Sequence, residues 1–149
     1  MADAELVQIA EAVATEIGAA TFSMTPTVLR NYNPKYVPKD TSELQLTIAA
    51  GTIAVTTASR GQCQYEYTVD VGMHKKIEPD AEDATETDQV DALLYFQQEV
   101  ADYFRLRRLT EYEDAIWSGT AVPVPFSRDA IEEERVFFSV ITFTFKVIR

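Results

Sequence analysis

The stretch Val136–Ile148, reading VFFSVITFTFKVI, constrains this chain more than any other. It is β-branched and aromatic almost throughout and holds no Gly or Pro, so it reads as a long strand. Side chains alternate across a strand, which puts Phe137, Ser139, Ile141, Phe143, Phe145 and Val147 on one face. Burying each large member contributes about 1.5–3 kcal/mol, so this is the expected core face, with helices packed on it. The other face carries Val136, Phe138, Val140, Thr142, Thr144, Lys146 and Ile148. It starts apolar and becomes mixed. Either local loops cover its Val136–Val140 end, or a second subunit does.

Upstream, Leu6, Ile9, Ala10, Val13, Ala14 and Ile17 recur at helical spacing. They predict a first helix to about Ala20, with Asp3 as its cap, Gly18 as its stop, and Gln8, Glu11 and Glu16 off the stripe. Residues 27–32 (TVLRNY) read as a short strand, and the prolines of residues 33–38 break regular structure and run over the surface. Leu44, Leu46 and Ile48 alternate with polar residues in a half-buried strand that Gly51 is expected to break. Residues 53–60 form the next strand, and Tyr65, Tyr67, Val69, Val71 and Met73 alternate in another. The short connection between these two predicts an antiparallel hairpin.

Residues 78–91 are a charge run, with Glu78, Asp80, Glu82, Asp83, Glu86 and Asp88 in its loop-like part. Thr87 or Asp88 is the expected cap of a second helix, whose stripe is Val90, Leu93, Leu94, Gln97, Val100, Ala101 and Phe104. Arg105, Arg107 and Arg108 at its end suit the helix dipole. Pro123 and Pro125 confine residues 122–126 to an edge or a loop. Asp129 with Glu132 gives a small capping-box signal ahead of the last strand. The order predicts one α+β domain over residues 1–149, a mainly antiparallel sheet with two main helices on one face.

Chemistry is sparsely signalled. His74 is the single histidine and reads as a strand-end surface residue. Cys63 is the single cysteine, so no internal disulfide forms, and nothing places it in an electropositive setting that would make it reactive. The acidic run contains no Gly and does not fit a calcium loop. No phosphate-binding loop, dinucleotide fingerprint or nucleophile elbow occurs. No enzyme activity, cofactor or metal is expected. A net charge of −11 disfavours clamping nucleic acid or an anionic membrane. No apolar run reaches the roughly 18 residues that span a bilayer, and the acidic start MADAELVQ shows no secretory signal. The lone cysteine fits a reducing compartment.

The element order then gives a resemblance. It rests on an amphipathic first helix, the Arg30-Asn31-Tyr32 strand with its proline-rich exit, and Tyr65-x-Tyr67-x-Val69-Asp70-Val71. Lys75-Lys76 and the acidic loop follow, then Asp102-Tyr103-Phe104-Arg105-x-Arg107-Arg108-Leu109 and the patterned terminal strand. Over nearly its whole length the chain resembles the small neck proteins of tailed bacteriophages and prophages, tail-terminator or head–tail joining proteins. The resemblance implies a virion protein of the neck, assembled in the host cytoplasm. It implies a homo-oligomeric ring, usually a hexamer, that caps the tail tube, meets the head connector and lets DNA pass without specific binding. It carries no catalytic residues over. The expected interface parts are Arg105, Arg107, Arg108, Val136, Phe138 and Val140. The acids Glu78, Asp80, Glu82, Asp83, Glu86 and Asp88 would face the lumen or a partner. The alternative reading is an acidic soluble module that binds or inhibits a basic protein.

Overall fold

A computed structural model of the chain describes residues 3–35, 41–79 and 85–149. The elements run α1 (Glu5–Ala19), β1 (Thr27–Arg30), β2 (Gln45–Ser59), β3 (Gln62–Lys76), α2 (Glu86–Tyr103), β4 (Ile116–Val124) and β5 (Val136–Ile148). A short π-helical turn, Ala130–Glu134, precedes β5. The sheet has the order β1-β2-β3-β5-β4. β1 pairs parallel to β2, and every other neighbour is antiparallel. The fold is α+β, as the sequence predicts.

The terminal strand sits against β3 along its whole length, from Gln64↔Ile148 to Lys76↔Val136. Its odd face is the core: Phe137, Ile141, Phe143 and Phe145 are fully buried, beside Val69, Val71 and Met73 of β3. Helix α2 closes over it through Leu93, Phe96 and Val100, and Phe104 meets Phe143 edge-on with ring centroids 4.9 Å apart. Gln97 belongs to this stripe because its amide bonds the Pro125 carbonyl at 2.7 Å and the Ser139 hydroxyl. Ser139 in turn donates to the Val124 carbonyl at 2.9 Å, so the one polar residue of the core face is satisfied. Helix α1 covers the β1–β2–β3 side with Ile9, Ala10, Val13 and Ile17.

Several local expectations are corrected. α1 starts on Ala4 with no side-chain cap, and Asp3 only lends its carbonyl to the Gln8 amide. Gly18 lies inside the helix, which ends one residue later without needing a left-handed residue. Glu16 is buried because its carboxylate accepts the Thr110 backbone N–H at 2.8 Å. β2 is one strand rather than two. A bulge between Ala50 and Ile53 absorbs Gly51, where a Cβ would stand 2.9 Å from the Thr68 carbonyl oxygen. The glycine therefore permits a close approach instead of ending the strand. Gly61, at φ +86°, makes the hairpin turn to β3.

The cap of α2 is Thr85, whose hydroxyl accepts from the Asp88 N–H while the Asp88 carboxylate accepts from the Thr85 N–H. Asp88 is thus the third residue of a capping box rather than the cap. The arginines lie just beyond the last turn of α2 and not in it. They follow it, around Leu106 at φ +59°. Before β5, Ser127 rather than Asp129 caps the turn, accepting from the Ala130 N–H.

Candidate interaction surface

The outer face of the sheet is covered at one end by the chain itself. At Gly72 of β3 an added Cβ would fall 2.0 Å from the Pro34 carbonyl oxygen, so the segment after β1 lies flat on the strand there. Only a glycine admits that approach. Around it Val140 is 6% exposed and Thr47 is fully buried. Of the two expected covers for this end, a local loop is present. Val140 accordingly has little surface left for a partner. Val136 and Phe138 remain half-buried. They rim a cavity of about 180 Å³ shared with Lys35, His74, Ala130 and Glu134.

His74 is not on the surface. It is 2% exposed, its ring lies 4.9 Å from that of Phe138, and its Nδ1 has no partner among the described residues. Burial pushes its pKa down to about 4, so the ring is neutral at ordinary pH. A neutral, half-wedged imidazole fills space and gives no acid–base pair.

The expected basic patch has a definite place. The Trp117 N–H donates to the Arg107 carbonyl at 2.9 Å and the Leu109 N–H to the Ala115 carbonyl at 3.0 Å. Residues 107–109 therefore lie along the outer edge of β4 and cover only its first residues. Arg107 stacks its guanidinium 4.6 Å from the centre of the Tyr103 ring. Arg105, Arg107 and Arg108 are all exposed, and at the centre of the patch Leu106 is 84% exposed. Leu106 is thus an exposed apolar side chain in left-handed backbone, a conformation uncommon for a residue other than glycine. The arginines are legible in the sequence, whereas the leucine between them gives no signal there.

The acidic residues are partly engaged locally. Glu86 pairs with Arg135 at 2.7 Å, Asp88 completes the capping box, and the Glu78 backbone is held at both its N–H and its carbonyl by the Gln89 side chain. Asp80, Glu82 and Asp83 lie outside the described residues. Among the described residues, the ion pairs are Arg30–Glu11, Arg135–Glu86 and Arg149–Glu5, and Arg105, Arg107 and Arg108 take part in none of these three. No group of three or more His, Cys, Asp or Glu could hold a metal among the described residues. No described helix is long and apolar enough to cross a membrane.

A second polar cluster ties the chain ends together. The Glu5 carboxylate accepts from the Tyr67 and Tyr112 hydroxyls and lies 3.5 Å from Arg149, which stacks on Tyr65 at 4.1 Å. Burial raises the Glu5 pKa, but the hydroxyls and the guanidinium outweigh it and hold the carboxyl below its usual range. Burial and the same carboxylate push Tyr112 up to about 12. Each proton stays on the phenols and the charge stays on Glu5, which is a fastening and not a reactive pair.

A long exposed stretch is the second half of β2. Residues 52–59 are exposed without interruption, with Ile53 54% and Val55 53% exposed. They form the edge of the sheet beyond the end of β1, with β3 and then β5 behind them as far as Gln64↔Ile148. The sequence reads these residues as a strand, but that reading leaves out how exposed the strand is. A signal was available, because no charged residue occurs between Gln45 and Ser59.

No protein-family model matches the chain, and no curated protein matches it.

Proposed function

We propose that the chain is a structural protein of the phage neck, a tail-terminator or head–tail joining subunit that works as a homo-oligomeric ring. The observation that carries this reading is the uncovered outer half of β2. Ile53 and Val55 are half-exposed on a strand that has β3 on one side and, among the described residues, no strand on the other, so this edge suits a surface that a single copy lacks. The exposed Leu106 among the arginines adds a second sticky place, and the element order of the chain adds the likeness to neck proteins. Ring closure requires heterologous contacts between copies. A net charge of −11 suits a wall that DNA passes without adhering. In this reading the protein sits in the virion between tail tube and head connector, performs no catalysis and carries no cofactor.

Native mass spectrometry together with negative-stain imaging tests it. Rings of a fixed subunit number are expected, and the protein should be found in purified virions. A strict monomer at high concentration that is absent from particles would reject the reading.

The rival, an acidic module that captures a basic protein, draws on the same acidic run. Glu86 and Asp88 are already used inside the chain, which leaves that reading fewer free carboxylates. Replacing Glu78, Asp80, Glu82 and Asp83 by their amides would abolish capture of a basic protein if the rival held, and leave ring formation unchanged if the neck reading holds.

A further inference from the structure

We infer that the seam between copies is strand pairing, with the bare outer edge of β2 in one copy joined to the outer edge of β4 in the next. The inference rests on the ring reading above and adds to it which surfaces meet.

The sheet has unequal neighbours at its β1 side. β1 pairs only with Gln45–Ile48, and the last bond on that edge is from the Asn31 N–H to the Ile48 carbonyl. From Gly51 to Ser59, β2 has β3 on one side and, among the described residues, no hydrogen-bonded neighbour on the other. At the far side of the sheet, residues 107–109 satisfy only the beginning of β4, and among the described residues 118–124 have no hydrogen-bonded strand on the edge away from β5.

Natural edges are protected by lysines, short length or inward charges. Neither edge here has such a charge. β2 reads QLTIAAGTIAVTTAS and β4 reads IWSGTAVPV, with no charged residue in either, while a quarter of the whole chain is charged. The β4 edge carries Pro123, which limits but does not remove its bonding positions. The β2 edge carries no proline at all.

Charge decides the occupant. A basic foreign partner would seek the acidic surfaces, and an acidic one would be repelled by a net charge of −11. Two copies repel each other everywhere except where charge is missing, and the charge-free edges are where they can approach. Strand direction agrees. β2 and β5 run one way, and β3 and β4 run the other. A second copy placed beside the first in the same orientation brings its β4 antiparallel to β2, the pairing already used through most of the sheet. Such a contact is head-to-tail and leaves the same two edges free at the ends, so it repeats until the ring closes.

The test is site-directed cross-linking. In a Cys63→Ser background, Ala54→Cys places a thiol on the β2 edge and Thr120→Cys places one on the β4 edge, both at exposed positions. Adjacent paired strands lie about 5 Å apart, and a short bismaleimide tolerates a modest offset in register. The double-cysteine protein should give a ladder of covalent multimers ending at the ring number, and each single-cysteine protein should give none. Dimers from Ala54→Cys alone would replace the proposal by a two-fold β2–β2 contact. A ring that forms normally but yields no ladder overturns the seam and leaves the ring reading standing. A protein that never associates overturns both. As a second arm, Thr56→Lys, which puts a charge on the exposed edge without touching the core, should weaken association at least tenfold with an unchanged far-ultraviolet circular dichroism spectrum. Unchanged association would overturn the seam.

Discussion

At the scale of single residues, His74 and Gly72 show how the covered end of the outer face is held. Buried His74 is neutral in the fold, with its pKa lowered to about 4 by burial, against an ordinary 6.5. A folded value below the unfolded one means that protonation favours the unfolded chain. The stability from the neutral ring is whole above pH 6.5 and is lost as pH falls toward 4. At pH 4.5 the loss amounts to about 2–3 kcal/mol. His74→Leu removes that loss, so the difference between wild type and variant in urea unfolding should shift by this amount between pH 7 and pH 4.5. Parallel acid sensitivity in the two proteins would show that the ring is not the cause. Gly72 makes a different prediction. A methyl group there meets the Pro34 carbonyl oxygen at 2.0 Å, a backbone atom that can retreat only by lifting the covering segment. Gly72→Ala should cost about 1–3 kcal/mol and raise hydrogen exchange at the Asn31, Tyr32, Asn33 and Lys35 amides. A neutral substitution would mean that the segment does not bear on the strand.

At the scale of elements, the ends of α2 are set by different forces. Its start is a reciprocal capping box, and Thr85→Ala should lower stability by about 1 kcal/mol, while Thr85→Ser should be close to neutral. Equal midpoints in denaturant for Thr85→Ala and wild type would remove the cap from the account. The strands and helices themselves were legible because their periods are strong. The odd face of β5 and the stripes of α1 and α2 are buried much as their spacing predicts. What escaped the sequence depends on partners far along the chain. Glu16 is polar and yet buried, because Thr110 waits with an N–H after α2. Gly51 reads as a break, because a bulge and a break use the same residue and only the approach of Thr68 distinguishes them. The parallel pairing of β1 could not be read either, since four residues hold no register. Among the interface candidates, Val136 and Phe138 keep partial exposure, whereas Val140 is withdrawn by the segment carrying Pro34, which composition marks only as a loop.

At the scale of the whole molecule, two kinds of contact between copies make opposite demands on salt. If the arginine patch gripped an acidic run on the neighbour, screening would loosen the assembly. If copies meet at charge-free strand edges, the main electrostatic influence is repulsion between bodies that each carry −11. Charges separated by more than about 10 Å are largely screened at 0.1 M salt, so raising salt removes most of that repulsion while leaving backbone hydrogen bonds and apolar contacts intact. Association should therefore strengthen severalfold between about 0.05 and 0.5 M sodium chloride, as read by sedimentation velocity across a concentration series. Arg105→Ala, Arg107→Ala and Arg108→Ala combined should leave the sign of that trend unchanged, because the repulsion comes from the whole surface and not from the patch. If salt instead dissociates the oligomer, and the arginine variant loses that sensitivity, the patch is the true contact and the strand edges are bystanders. The two results cannot both arise from one interface, so a single titration chooses between them.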